Sequence, residues 1–296
     1  MLRVGALLLL VLAVAWAPAA GAGSTTPARF PRFDGAVPVL LYHGLARGGA
    51  TPAAFDAQMR RLHALGFEPI TLGRYVHFIR GDAVDLPQRP ILITFDDAFL
   101  SSWTVADPVL ARYGWSAAMY VPTGLVGLPG RMTWRRLRQA ESSGRWQIDE
   151  HAGDGHVMST VDAAGRRASF YANELWTNGR QETFAHYKER VSGDIRKGRT
   201  VLTRNLPGWI SHGSFAVPFG NYGQMGSNDP RIEPWLKSFL ESRFVVFFAH
   251  GDNVFTTPGP GVANRLRVAP GWNAQTLETQ LRRGLHRLRS RAVAPR

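Results

Sequence analysis

The 296-residue chain contains no cysteine. Disulfides, thiolate metal ligands and a lipidated cysteine anchor are thereby excluded, which leaves histidine and aspartate as the metal donors. No G-x-S-x-G sequence occurs, so the strand–helix elbow that presents the serine of α/β hydrolases is missing. No internal repeat is visible, and no basic stretch interleaved with aromatic residues suggests a nucleic-acid module. Acidic residues are few, 22 against 35 Lys and Arg, and the formal charge is +13, carried almost wholly by arginine.

Such a balance is the usual mark of a nucleic-acid partner, but the start of the chain argues otherwise. Met1-Leu2-Arg3 is followed by an apolar run from Val4 to Trp16 and then by small residues to Ala22, which reads as a signal peptide over residues 1–22. Pro18 and the shortness of the run favour a cleaved signal over a retained membrane anchor. The expected location is periplasmic or extracellular, with no nucleic-acid partner. There a basic protein is drawn to anionic polymers or lipid headgroups. The acid-free stretch from Arg282 to Arg291 reads first as the solvated end of a helix and second as a peripheral contact with an anionic envelope surface. Residues 23–36 mix Ser, Thr, Pro and Gly as a linker does. Residues 37–296 remain as one domain, and 45% hydrophobic content over the chain is ample for a core.

Chemistry concentrates at the ends of apolar runs. Ile91-Leu92-Ile93-Thr94-Phe95 has strand character and stops at two adjacent carboxylates, Asp96 and Asp97. Successive strand side chains point to opposite faces, so one acid can bind a metal while its neighbour faces a substrate. Downstream, His151-Ala152-Gly153-Asp154-Gly155-His156 sets two imidazoles in a glycine-rich loop able to turn both rings inward, after a short strand Trp146–Asp149. Two histidines and one carboxylate are the facial set of many catalytic metal sites, with positions left open for water and substrate. Alone, each motif has a bland reading, a solvated turn or two surface histidines; together they favour a metal site. Phe215 to Gly223 is a strand that stops at Pro218 and enters a loop with Phe219, Gly220 and Tyr222, where backbone N–H groups can approach a ligand and rings can stack on a sugar. Val39-Leu40-Leu41-Tyr42 delivers His43 at a strand's end.

Between these motifs strands alternate with helices. Thr51 is a predicted N-cap with Pro52 at the first helical position, Phe55, Met59 and Leu62 share a face, and Gly66 ends the helix. Further helices are expected around 72–79, 105–113, 133–142, 182–205 and from Thr276, with strands at 117–121 and 245–249. The alternation implies a parallel sheet and an α/β fold, with the acids and histidines at the C-terminal strand ends where barrel sites lie.

Thr94 to Ala98, His151 to His156 and Phe215 to Gly220, taken with Tyr42-His43, resemble the polysaccharide deacetylases with a NodB-like domain, carbohydrate esterase family 4. The pattern is most similar to the poly-N-acetylglucosamine deacetylases of biofilm systems, and it runs in order from about Val37 to about Thr279. Ala98 stands where the family usually has Gly, and Ala216 where many members have Arg. The resemblance implies a distorted, incomplete (β/α)7 barrel and metal-dependent hydrolysis of N-acetyl groups from an N-acetylated polysaccharide. It implies that Asp97, His151 and His156 hold a divalent metal, zinc first, with Ni, Co or Fe also suited to such a site. It assigns Asp96 as the base, with metal ligation by Asp96 the main alternative, the Phe219 N–H as an oxyanion donor and His43 as the acid, with His250 the competing acid. Peptidoglycan or another glycan as substrate, or a non-catalytic sugar-binding barrel, are the alternatives. The presence of Asp96, Asp97, His151 and His156 counts against the last.

Overall fold

Short apolar runs, too brief for helices, become the staves of a barrel in the computed structural model, which describes residues 29–45 and 49–293. The expected signal peptide lies outside the described residues, as does the linker up to residue 28. Val37–Tyr42, Pro90–Asp96, Ala117–Pro122, Trp146–Ala152, Ser214–Ala216, Val246–Ala249 and Gly261–Asn264 pair in that order, all parallel. After Arg265 the last stave continues as Leu266–Arg267 and pairs in parallel with Leu40 and Leu41 of the first strand. The sheet is thus nearly closed on itself, and the expected distorted seven-stave α/β barrel is observed.

Helices pack outside, and the sequence caps them in one recurrent way. Thr51, Thr71, Thr133 and Thr183 each accept a hydrogen bond from a first-turn N–H of the helices Pro52–Ala64, Leu72–Arg80, Trp134–Ser142 and Phe184–Asn205. The helix expected near 105–113 begins instead as a π-turn, Ser102–Ala106, before Asp107–Arg112. Pro108 has no N–H to return to Thr104, so the α-helical ladder cannot run through it. The terminal helix spans Ala274–Val293. No described helix is long and apolar enough to cross a membrane.

The period of two divides every stave. Leu40, Tyr42, Ile93, Phe95 and Met119 join Phe55, Met59 and Leu62 in the outer core. Val39, Leu92, Ala118, Tyr120, Ala216 and Ala263 form a separate interior cluster with Leu72, Tyr75 and Ile79 of the second helix. Counting in twos along each strand from this interior set reaches His43, Asp96 and Arg265. Parity alone therefore sends those side chains to the inner face at the strands' C-terminal ends.

Phe95 shows how the outer core supports that end. It is fully buried and packs on Tyr42 at 5.3 Å, Phe55 at 5.8 Å and Trp146 at 5.1 Å between ring centroids. Phe95→Ala should cost about 3–5 kcal/mol through lost burial and a cavity. Urea unfolding monitored by tryptophan fluorescence measures it, and a loss under about 1 kcal/mol would contradict the packing described.

Candidate active site

Asp96 ends its strand inside the barrel and meets Arg265 from the broken stave. Nη1 donates to Oδ1 at 2.7 Å and Nη2 to Oδ2 at 2.6 Å, with both side chains almost wholly buried. Burial pushes the Asp96 carboxyl up, yet the charge of Arg265, then that of His151, and the Arg265 hydrogen bonds hold it below its ordinary value. Asp96 is an ionised, rigidly oriented carboxylate.

Asp97 leaves the strand. Its backbone has φ 70° and that of Ala98 φ 49°, a left-handed pair that costs energy in non-glycine residues. The resemblance leads one to expect Gly at 98, and this backbone is the physical reason. Arg131 secures the turn by donating from Nη1 to the Asp97 carbonyl at 2.7 Å, while its guanidinium lies 3.7 Å from the Phe99 ring centroid. The turn aims the Asp97 carboxylate at two imidazoles. His156 Nε2 lies 3.1 Å and His151 Nε2 3.4 Å from Asp97 Oδ1. That oxygen is buried without a hydrogen-bond partner among the described residues.

His151 is not in a loop as the sequence suggested. The strand Trp146–Ala152 carries it, and its Nδ1 donates to the Ala216 carbonyl at 2.6 Å. A carbonyl only accepts, so the proton sits on Nδ1 and the Nε2 lone pair faces Asp97. His156 does lie in the loop, its ring 4.6 Å from that of Phe219. Burial, then the charge of His151, pushes His156 down to about 4, so it is a neutral donor near neutrality. Burial pushes His151 down, but Asp96 and Asp97 outweigh it and raise its affinity for a proton. A cation held by Asp97, His151 and His156, whose ligand atoms lie within 4.8 Å of one another, would take the place of that proton and satisfy the orphaned oxygen. The donor set fits a divalent metal.

The two candidate acids share one cavity of about 430 Å³ with this cluster. Tyr42 pairs with Phe95, so His43 follows beside Asp96. Burial lowers the His43 pKa, and the charges of Asp96 and Asp97 oppose that shift. His250 is pushed down to about 4 by burial, then by Arg265 and Arg267. Phe219 and Gly220 line the cavity too. Phe219 has a left-handed backbone, φ 58°. Gly220 donates its N–H internally, to the Val217 carbonyl at 2.8 Å. What its missing side chain leaves room for is His250, since a Cβ there would meet the ring at 2.4 Å. Pro218 and Tyr222, expected at the substrate surface, do not line this cavity. Both are buried, and Tyr222 packs edge-on against Phe247. Of the two readings an aromatic after a turn allows, platform or core, Tyr222 takes the core one.

Sequence reasoning missed Arg265, Arg131, Met225 and Arg267. Only Arg265 left a signal, an arginine on the inner parity of the stretch Gly261–Asn264.

Residues 83–225 match a family model described as polysaccharide deacetylase. The chain is 26% identical over 186 residues to a poly-beta-1,6-N-acetyl-D-glucosamine N-deacetylase of Escherichia coli (strain K12), covering 57% of this chain and 27% of that relative, so it spans little more than a quarter of the relative's length. Its fold matches a de-N-acetylase from Aggregatibacter actinomycetemcomitans with a TM-score of 0.70 at 18% identity, over 83% of this chain and 99% of that one. The BpsB deacetylase domain from Bordetella bronchiseptica matches with a TM-score of 0.65 at 21% identity, over 81% and 98% of the two chains.

Removing Arg265 tests the electrostatics of the site. Arg265→Leu strands a buried carboxylate and should cost about 3–5 kcal/mol near neutrality. In wild type the pair lowers the Asp96 pKa, so its stabilisation is full above the ordinary carboxylate range and is lost as pH falls through the folded value. In the variant burial acts unopposed by Arg265, the pKa rises, and the stability deficit should be larger at neutral pH than in mild acid. Urea titrations at both pH values measure it, and a pH-independent deficit would contradict the ion pair.

Proposed function

We propose that this chain, which carries a polysaccharide deacetylase domain, is a metal-dependent N-deacetylase acting on an N-acetylglucosamine-containing polysaccharide. It cleaves the acetamide C–N bond, releases acetate and leaves a free amine. The observation that carries this reading is the convergence of His151 and His156 on the unpartnered oxygen of Asp97, one residue from an ionised carboxylate that faces the same cavity. The similarity to the Escherichia coli enzyme supports a poly-N-acetylglucosamine-type exopolysaccharide as the substrate.

Asp97, His151 and His156 would hold the cation, zinc first among those suited to two imidazoles and a carboxylate. When bound there, a divalent cation supplies Lewis acidity for water and for the acetyl carbonyl. The protein's own residues do the rest. Asp96, fixed by Arg265, accepts the proton of the attacking water. Phe219 offers its backbone N–H at the rim, where the carbonyl oxygen gains charge. His43 delivers a proton to the departing nitrogen. It is preferred over His250 because the charges of Asp96 and Asp97 oppose the lowering that burial imposes on it, whereas on His250 burial is reinforced by Arg265 and Arg267 and opposed by Asp96 alone. The export expected from residues 1–22 would bring the protein to such a polymer, and the basic terminal helix suits contact with an anionic envelope surface.

Metal dependence is tested by stripping the protein with a chelator. Acetate release from N-acetylated oligosaccharides should vanish and return with added divalent cation; full activity without metal would end this reading. Asp97→Asn should lose the metal, whereas Asp96→Asn should retain it and lose turnover, as measured by elemental analysis beside the assay.

The acid assignment has its own measurement. His43→Ala should lower kcat by about 10²–10⁴-fold with metal content unchanged, the usual contribution of a positioned acid. His250→Ala should do much less, and the reverse order would transfer the role to His250.

A further inference from the structure

The loop that carries His156 is held by a residue outside the motifs. Asp194 lies in the helix Phe184–Asn205 and is only 8% exposed. Its carboxylate accepts three consecutive backbone N–H groups, Gly153 at 3.0 Å, Asp154 at 2.7 Å and Gly155 at 3.1 Å. The Tyr171 hydroxyl donates a fourth bond at 2.7 Å. Burial, then the Asp194 charge, pushes the Tyr171 phenol far up, so it keeps the proton it donates.

All four groups point donors at one side chain, and only an acceptor without protons of its own satisfies them together. A carboxylate does so; an asparagine amide would turn an NH₂ toward one of the donors. The glycines of the loop follow from the same contact. A Cβ at Gly153 would lie 2.8 Å from Asp194 Oδ1, and one at Gly155 would lie 2.7 Å from Oδ2. The Asp194 main-chain oxygen, 2.7 Å from the first of these, and the Tyr171 ring, 2.6 Å from the second, crowd the same positions, so close packing around Asp194, and not flexibility alone, requires both glycines. One turn further along the helix, a Cβ on Gly198 would lie 2.9 Å from the Ala152 carbonyl, so the helix approaches the loop backbone to backbone. On the other side Gly124 donates to the Gly153 carbonyl at 2.8 Å. The segment between His151 and His156 is therefore clamped from both sides.

We infer that Asp194 is a positioning residue for the metal centre: it sets the path of the loop between the two imidazoles and so fixes how His156 meets Asp97 and His151. The inference rests on the proposed metal reading. Asp194 would act through backbone N–H groups, since among the described residues it makes no hydrogen bond to the side chain of Asp97, His151 or His156.

Zinc binding to the purified full chain, measured by competition with a chelating dye, tests it without reference to turnover. Asp194→Asn should keep the wild-type far-ultraviolet circular dichroism and bind zinc about 10–100-fold more weakly, the range for groups that orient metal ligands. Saturating zinc should recover much of the lost occupancy. Should Asp194→Asn fail to fold, Gly198→Ala decides. Helix propensity favours that change, yet its methyl pushes the helix off the loop, and zinc affinity should fall about tenfold. A wild-type chain that binds no zinc overturns the metal reading and this inference with it. Wild-type zinc binding with unchanged affinity in Asp194→Asn, even at lowered thermal stability, overturns this inference alone. If only Gly198→Ala can be measured, unchanged affinity there does the same.

Discussion

The ion pair between Asp96 and Arg265 is buried where the barrel closes, and most of the site takes its form from that fact. Arg265 lies between two segments of one stave, the first paired to Val246–Ala249 and the second to the opening strand. A charge in such a place is tolerable only with a partner and several contacts. Asp96 supplies two hydrogen bonds, Thr94 a third at 3.3 Å, and the rings of Tyr120 and Phe248 lie 5.6 and 5.3 Å from the guanidinium carbon.

The same pair separates the roles of two adjacent acids. Arg265 takes one hydrogen bond on each oxygen of Asp96 and balances its charge, which makes that carboxylate the weaker cation ligand of the two while leaving lone pairs for a proton. Asp97, turned off the strand by its left-handed backbone, keeps an oxygen between His151 and His156 that has no hydrogen-bond partner among the described residues. Under the proposed reading, one covalent neighbour handles protons and the other metal, a division set by geometry instead of chemical type.

Strand-end chemistry was legible in the sequence because its causes are local. An apolar run ending in Asp96 and Asp97, a strand delivering His43, and paired histidines need only periodicity and spacing to be noticed. The Thr51 cap and the alternating staves were equally readable. Arg265 escaped because its stave is short and interrupted, and its partner is 169 residues away. Asp194 gives no signal in the sequence, because its four donors come from segments about 20 and 40 residues earlier. Tyr222 misled for the opposite reason, since loop chemistry was visible but its burial against Phe247 was not. Contacts made across the barrel are what the linear pattern does not carry.

At the centre of this account stands one claim, that Asp97, His151 and His156 form a metal-binding unit at the barrel mouth. X-ray absorption of the zinc-loaded full chain tests it most directly. The account predicts two imidazole nitrogens at about 2.0–2.1 Å and oxygen donors at about 2.0–2.2 Å. It also predicts that the imidazole signal is halved in His156→Ala. An all-oxygen shell, or a spectrum identical in wild type and His156→Ala, would contradict it.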